Sequence, residues 1–224
     1  MMKSVWDLIK EGSFEAACQA ADEEMANSTS TLPMRNKIIA LLNLAEYEKA
    51  ISLSATVIEK TGGSTDTDFI FLGVAQWLQG DSVSAIANWR KATGTDYTDA
   101  AGGVEAPLLL FYAAAKSGAD DLRSESLKLL KKLCRPKSKL PWPGPLASYV
   151  LGQIDEQALR GAIDQQPILA AKQTCQADFY VGLMNLTHGE SRQFSVTMER
   201  AISHVPFALQ KCEFYLARNE LLEV

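Results

Sequence analysis

The chain has 224 residues, of which 47% are apolar or aromatic, and a formal net charge of −5. An acidic balance argues against nucleic-acid binding, which relies on clustered cations that release counterions from phosphates. No stretch approaches the roughly 20 apolar residues of a membrane-spanning helix, so we expect no membrane span.

A similar turn recurs along the chain between apolar helical stretches. The turn residues are Gly12, Ala45, Gly80, Gly118, Gly152 and Gly189, at steps of 33 to 38 residues. A period near 34 with a helix on each side is typical of solenoids of helical hairpins, in which each hairpin buries its apolar face against the next. Apolar spacing is helical nearly everywhere. The sequence therefore predicts an all-α solenoid of about six helical hairpins with a C-terminal capping helix.

The predicted units divide the chain into three consecutive parts of one continuous solenoid. Residues 1–134 hold four hairpins, and residues 146–224 hold two further hairpins plus the capping helix. Residues 135–145 connect them and contain four prolines, which makes this the longest irregular segment.

Small residues stand where the two helices of a hairpin would cross. Gly73 and Gly182 each lie seven residues before a turn glycine. Three alanines lie five residues after a turn: Ala17, Ala50 and Ala85. Small side chains allow a short distance between helix axes. Together with the turns, this pattern resembles the tetratricopeptide repeat (TPR) family. The match is uneven, because Phe194 replaces a small residue and Pro206 is the one closing proline.

The last third of the chain resembles one subgroup more closely. The resemblance rests on residues 142–154 (WPGPLASYVLGQI), 177–183 (ADFYVGL) and 213–221 (EFYLARNEL). These segments are similar to the C-terminal half of NlpI-type bacterial TPR proteins. The resemblance implies an adaptor that holds other proteins and does no chemistry itself. Some members of that group are lipoproteins, but Asp7, Lys10 and Glu15 interrupt the apolar stretch that a signal before Cys18 would need. We therefore expect a cytoplasmic protein.

One stripe on the inner helices is almost wholly apolar. It combines the residues three, six and ten before each turn, and we expect its binding residues to be Arg35, Trp77, Tyr112, Trp142, Tyr149 and Phe179. In an open superhelix this stripe lines an apolar, aromatic concave groove for a partner helix or extended peptide. In a tightly coiled superhelix the same residues are ordinary core. The sequence leaves both alternatives open.

Charge is unevenly distributed along the chain. Six cations fall within twelve residues without an acid among them: Lys128, Lys131, Lys132, Arg135, Lys137 and Lys139. This electrostatic patch could attract an acidic partner, and a solvated helix face is the alternative. The first hairpin has the opposite bias, with Glu11, Glu15, Asp22, Glu23 and Glu24, which could receive a basic partner such as a toxin.

Patterns for catalysis and metal binding are weak. His188 and His204 are the only histidines, and neither has a ligand-type neighbour at the spacing of a metal site. The four cysteines stand singly, which favours reduced core thiols. The sequence therefore predicts a non-enzymatic protein-binding adaptor, with no cofactor and no metal, whose partner is another protein or peptide. The alternative is a cytosolic immunity protein that neutralises a cognate bacterial toxin.

Overall fold

The computed structural model describes residues 3–134 and 140–222. Their helices are α1 (Val5–Lys10), α2 (Phe14–Ala26), α3 (Leu32–Asn43), α4 (Tyr47–Thr61), α5 (Asp66–Leu78), α6 (Ser82–Ala92), α7 (Glu105–Ser117), α8 (Asp120–Leu133), α9 (Gly144–Val150), α10 (Glu156–Gly161), α11 (Pro167–Thr187), α12 (Ser191–Ile202) and α13 (Cys212–Leu222), with a 3₁₀ helix at Phe207–Gln210. No strand forms within these ranges, where Thr65 and Tyr97 make one isolated bridge. The all-α prediction is confirmed.

Successive helices pair around the predicted turns. Every predicted turn residue has a left-handed backbone, with φ between 57° at Ala45 and 93° at Gly80. Glycine adopts this conformation without steric cost, whereas Ala45 adopts it against the preference of a residue with a Cβ atom. Each turn reverses the chain between an inner and an outer helix. The described residues therefore form six hairpins followed by α13, as the turn spacing predicts.

The helices of a hairpin cross closely at the two predicted glycines. A Cβ atom on Gly73 would lie 2.7 Å from Trp89 Cδ1 and 3.0 Å from the Ala85 carbonyl oxygen. A Cβ atom on Gly182 would lie 2.5 Å from Met198 Cε. At Gly73 the Trp89 ring and a backbone oxygen leave no room for a larger side chain unless the helices move. At Gly182 the side chains of Met198 and Thr197 would have to move. The prediction of a close crossing at both glycines is confirmed.

The stack of hairpins closes on itself in its second half. Hairpins contact their neighbours in chain order up to α8, and the fifth hairpin, α9 with α10, is short. The long α11 then packs against α7 as well as against α9 and α10. The final helix α13 contacts α11, α12 and also α5, far earlier in the chain. The C-terminal helix therefore packs against an inner helix of an early hairpin, on the side where the sequence predicts a concave groove.

Candidate functional site

The predicted binding stripe lies largely in the core. Tyr112 and Phe179 are 0% exposed, while Trp77, Trp142 and Tyr149 are partly buried and pack against the core. For Tyr112 and Phe179 the open-groove interpretation is therefore corrected, because a fully buried ring cannot contact a partner. The core alternative describes these two residues.

Several stripe residues form one continuous aromatic cluster. The ring centroid of Trp77 lies 5.6 Å from that of Trp89 and 5.1 Å from that of Tyr112. The Tyr112 ring in turn lies 5.3 Å from Phe179. Aromatic pairs at these separations stabilise a fold beyond the area that they bury. The aromatic residues that suggested a groove thus connect α5, α6, α7 and α11.

The C-terminal helix α13 occupies the concave side. The Tyr215 hydroxyl accepts a hydrogen bond from Asn43 Nδ2 (3.0 Å) and donates one to the Leu209 carbonyl oxygen (2.8 Å). Arg218 Nη2 donates to the Leu42 carbonyl oxygen (2.8 Å) at the end of α3. These bonds join α13 to an inner helix more than 170 residues earlier in the chain.

The last turns of α13 are also bonded to α7. The Tyr112 hydroxyl donates to Glu220 Oε1 (2.6 Å), and Lys116 pairs with the other oxygen of the same carboxylate. Seven residues of α13 are buried, Cys212–Ala217 and Glu220, so the helix is enclosed on most of its surface. The groove that the sequence offers to a partner is therefore filled by the chain itself.

A buried polar network lies beneath the start of α13. Trp142 Nε1 donates to Gln176 Oε1 (2.8 Å), and Gln176 Nε2 donates to Glu213 Oε1 (2.9 Å). Lys211 Nζ lies 3.1 Å from Glu105 Oε1. Burial raises the pKa of the Glu213 carboxyl, and the Glu105 charge raises it further. Trp142, predicted as a binding residue, thus has its indole N–H engaged inside the protein.

Arg35 is paired with a buried carboxylate. Its Nε and Nη2 atoms donate to the two oxygens of Asp68 at 2.7 and 2.8 Å, and these bonds raise the pKa of the guanidinium. The Asp68 side chain is 2% exposed, whereas that of Arg35 is 35% exposed. A bidentate pair of this geometry satisfies the buried charge. The sequence identified Arg35 but gave no indication of Asp68.

A pocket lies beside this ion pair, between α3, α4 and α5. It has a volume of about 160 Å³ and is lined by Arg35, Ile38, Ile39, Ser54, Val57, Thr67, Asp68, Phe71 and Gln210. We call it the Arg35 pocket. The Ser54 side chain is buried, and its hydroxyl has no hydrogen-bond partner among the described residues. Sequence reasoning missed Ser54, because a serine within a helix carries no signal of its surroundings.

The cationic segment is described only in part. Lys128, Lys131 and Lys132 are exposed on α8, and none of them forms an ion pair within the described ranges. The neighbouring acid Glu125 is paired with Arg90. The other three predicted patch residues, Arg135, Lys137 and Lys139, lie outside the described residues. We call Lys128, Lys131 and Lys132 the basic face.

Exposed residues of α2 carry the opposite charge. Glu15, Glu23 and Glu24 are exposed at different positions around the helix, and we call these three residues the acidic face. Asp22 differs from them because it accepts hydrogen bonds from Lys37, at 2.5 and 2.6 Å. The protein therefore presents two outward faces of opposite sign on different hairpins.

The buried carboxylate of Asp178 connects three helices in the second half of the chain. Asp178, on α11, accepts from Arg160 Nη2 and Arg200 Nη2 at 2.9 Å each, and His204 Nε2 lies 3.3 Å from its other oxygen. The sequence did not indicate this cluster, because its members are 18 to 26 residues apart. It positions α10 and α12 on α11. Among the described residues, no group of three or more His, Cys, Asp or Glu could hold a metal ion.

Comparisons with known proteins give matches among solved structures alone. No family model matches the chain, and no curated protein matches it. A solved structure, the C-terminal part of a TPR repeat-containing protein from Cytophaga hutchinsonii, is similar at a TM-score of 0.47 and 14% identity. The similarity covers 98% of this chain and 93% of that chain. Among the helices of the described residues, none is sufficiently long and apolar to cross a membrane.

Proposed function

We propose that the protein is a non-enzymatic, protein-binding adaptor whose partner binds on the outer surface of the solenoid. The observation that carries this proposal is the position of α13. A partner helix entering the concave side would have to displace Tyr215, Arg218 and Glu220 from their hydrogen bonds to α3 and α7. The resemblance of the C-terminal third to NlpI-type adaptors agrees with a binding role, and a cytoplasmic location stays a prediction.

The basic face is the docking surface that we propose. Its three lysines share one side of α8, at positions i, i+3 and i+4, and the sequence continues with Arg135, Lys137 and Lys139. On a protein with a net charge of −5, such a face is a local positive region that attracts an acidic segment of a partner. Exposed charges of this type act mainly on the association rate.

A second candidate function rests on the acidic face. The exposed carboxylates of Glu15, Glu23 and Glu24 would bind a basic partner, as an immunity protein that inhibits a basic toxin would require. The two candidates therefore differ in the helix that they use and in the charge of the partner.

Two charge-reversal variants separate the candidates, and each is the control for the other. The first is Lys128→Glu/Lys131→Glu/Lys132→Glu, and the second is Glu15→Lys/Glu23→Lys/Glu24→Lys. Affinity purification from the native host should recover an acidic protein with the wild type and with the α2 variant, but not with the α8 variant. With that partner purified, the α8 variant should lower the association rate constant by about tenfold or more at low salt.

The opposite pattern selects the second candidate. A basic partner lost only from the α2 variant would establish the inhibitor and refute the adaptor. If partners are recovered equally with all three proteins, neither charged face is the docking surface. Recovery of no specific partner with the wild type would also contradict the proposal.

A further inference from the structure

We propose that the Arg35 pocket binds a small, uncharged molecule that has an apolar body and one hydrogen-bonding group. The proposal does not depend on the docking surface, because the pocket lies between α3, α4 and α5, away from α8 and from the outer side of α2. It rests on three properties of the pocket, which are its size, its unsatisfied hydroxyl and its charge balance.

The size and lining of the pocket favour an apolar ring or a branched aliphatic body. Its volume of about 160 Å³ is close to that of cavities that take a single benzene ring. Ile38, Ile39, Val57 and Phe71 supply the apolar walls. Exposed Thr67 and partly exposed Arg35 are also lining residues, so solvent reaches the pocket on their side.

The hydroxyl of Ser54 is the polar group to which a ligand could form a hydrogen bond. Its side chain is 1% exposed, and its Oγ atom makes no hydrogen bond to any described residue. A buried hydroxyl without a partner is costly, and native proteins leave few of them. A ligand with a hydroxyl or carbonyl group beside its apolar body would satisfy Ser54 and fill the apolar volume together.

The charge balance of the wall favours an uncharged ligand. The positive charge of Arg35 is offset by Asp68 through two hydrogen bonds, so the pair adds no net charge to the pocket. A ligand carboxylate would compete with Asp68 for the same guanidinium, and an ammonium group would face Arg35. In the part of the chain that the structure describes, Arg35 Nη1 makes no hydrogen bond and can donate to a neutral acceptor.

Two probes of nearly equal shape test the proposal. Benzene and phenol are titrated separately into the full-length protein, and binding is followed by the methyl NMR signals of Ile38, Ile39 and Val57. Both probes should shift these signals saturably. In Ser54→Ala, which keeps the space but removes the hydroxyl, the preference for phenol over benzene should fall by about three- to tenfold, the value of one hydrogen bond.

Two further variants complete the test, one as a control for Ser54→Ala and one that fills the pocket with a larger side chain. Ser126→Ala removes another buried hydroxyl, which donates to the Arg123 carbonyl oxygen on α8, and should leave the preference for phenol unchanged. Ser54→Leu should fill the pocket and abolish binding of both probes while the protein stays helical by circular dichroism. The proposal is overturned if neither probe shifts the three residues, if Ser54→Ala and Ser126→Ala change the preference equally, or if folded Ser54→Leu still binds.

Discussion

Two buried tyrosines differ in whether their hydroxyl groups have partners. The Tyr180 hydroxyl is buried with no hydrogen bond to the described residues, whereas Tyr215 both accepts from Asn43 and donates to Leu209. Burial strongly raises the pKa of Tyr180, so its hydroxyl stays protonated. Both side chains are fully buried, but only the Tyr215 hydroxyl has hydrogen-bond partners among the described residues.

We expect Tyr180→Phe to raise the free energy of unfolding by about 1 kcal/mol, because it removes an unsatisfied polar atom. Tyr215→Phe should lower it by about 1–3 kcal/mol, because it removes the hydrogen bond from Asn43 and leaves the buried Leu209 carbonyl oxygen without its donor. Urea unfolding of both variants measures these changes. Equal destabilisation by both substitutions would contradict the assigned hydrogen bonds.

Single residues were predictable from sequence where local geometry alone sets the requirement. Gly73 and Gly182 were identified because a helix crossing at a fixed distance from a turn needs a small residue. Asp68 and Ser54 were not, because their roles depend on packing between α3, α4 and α5. No spacing in the sequence distinguishes a buried unpaired serine from an exposed one.

At the level of the helices, the turn period predicted the hairpins but not their lengths. Left-handed residues at Gly12 and Gly189 end the first helix of their hairpins, as expected from the backbone freedom of glycine. The fifth hairpin is much shorter than its neighbours, α9 having 7 residues and α10 having 6. A turn position fixes where a hairpin reverses, and the packing of the following chain sets how long its helices are.

On α13, the carboxyl group of Glu213 makes the stability of the protein depend on pH. Burial raises the pKa of Glu213 above its ordinary value of 4.5, with a further increase from Glu105 that Lys211 partly opposes. The folded protein thus retains a proton that the unfolded chain releases. The contribution of Glu213 to stability therefore falls as the pH rises from 4.5 to the raised pKa, and it stays lost above that pH.

Glu213→Gln should remove this dependence, because the amide stays neutral and its oxygen can still accept from Gln176. Relative to wild type, the variant should gain stability as the pH rises above about 4.5. The matched variant Glu125→Gln should instead lose stability, relative to wild type, as the pH rises toward 4.5. The reason is that the hydrogen bond from Arg90 lowers the pKa of Glu125 below its ordinary value of 4.5. Urea unfolding between about pH 3.5 and about pH 8 measures both trends. A Glu213→Gln effect that is independent of pH would contradict the raised pKa.

The shape of the whole molecule depends on contacts that no repeat pattern reveals. The curvature of a solenoid follows from a small rotation per repeat, and the position of α13 follows from bonds to Leu42 and Asn43, 172 to 176 residues away in the chain. The apolar stripe was therefore compatible with a groove and with a core. In the folded protein α13 fills this side of the inner helices, and we therefore propose the exposed charged faces as the surfaces for binding.

Hydrogen–deuterium exchange of the intact protein tests this closure most directly. If α13 fills the concave side, the amides of Cys212–Leu222 should be protected as strongly as those of the central inner helix Glu105–Ser117, since both then open only with the global unfolding of the protein. Rapid exchange throughout α13, with α7 still protected, would show that the C-terminal helix leaves the groove open and would contradict the closed solenoid.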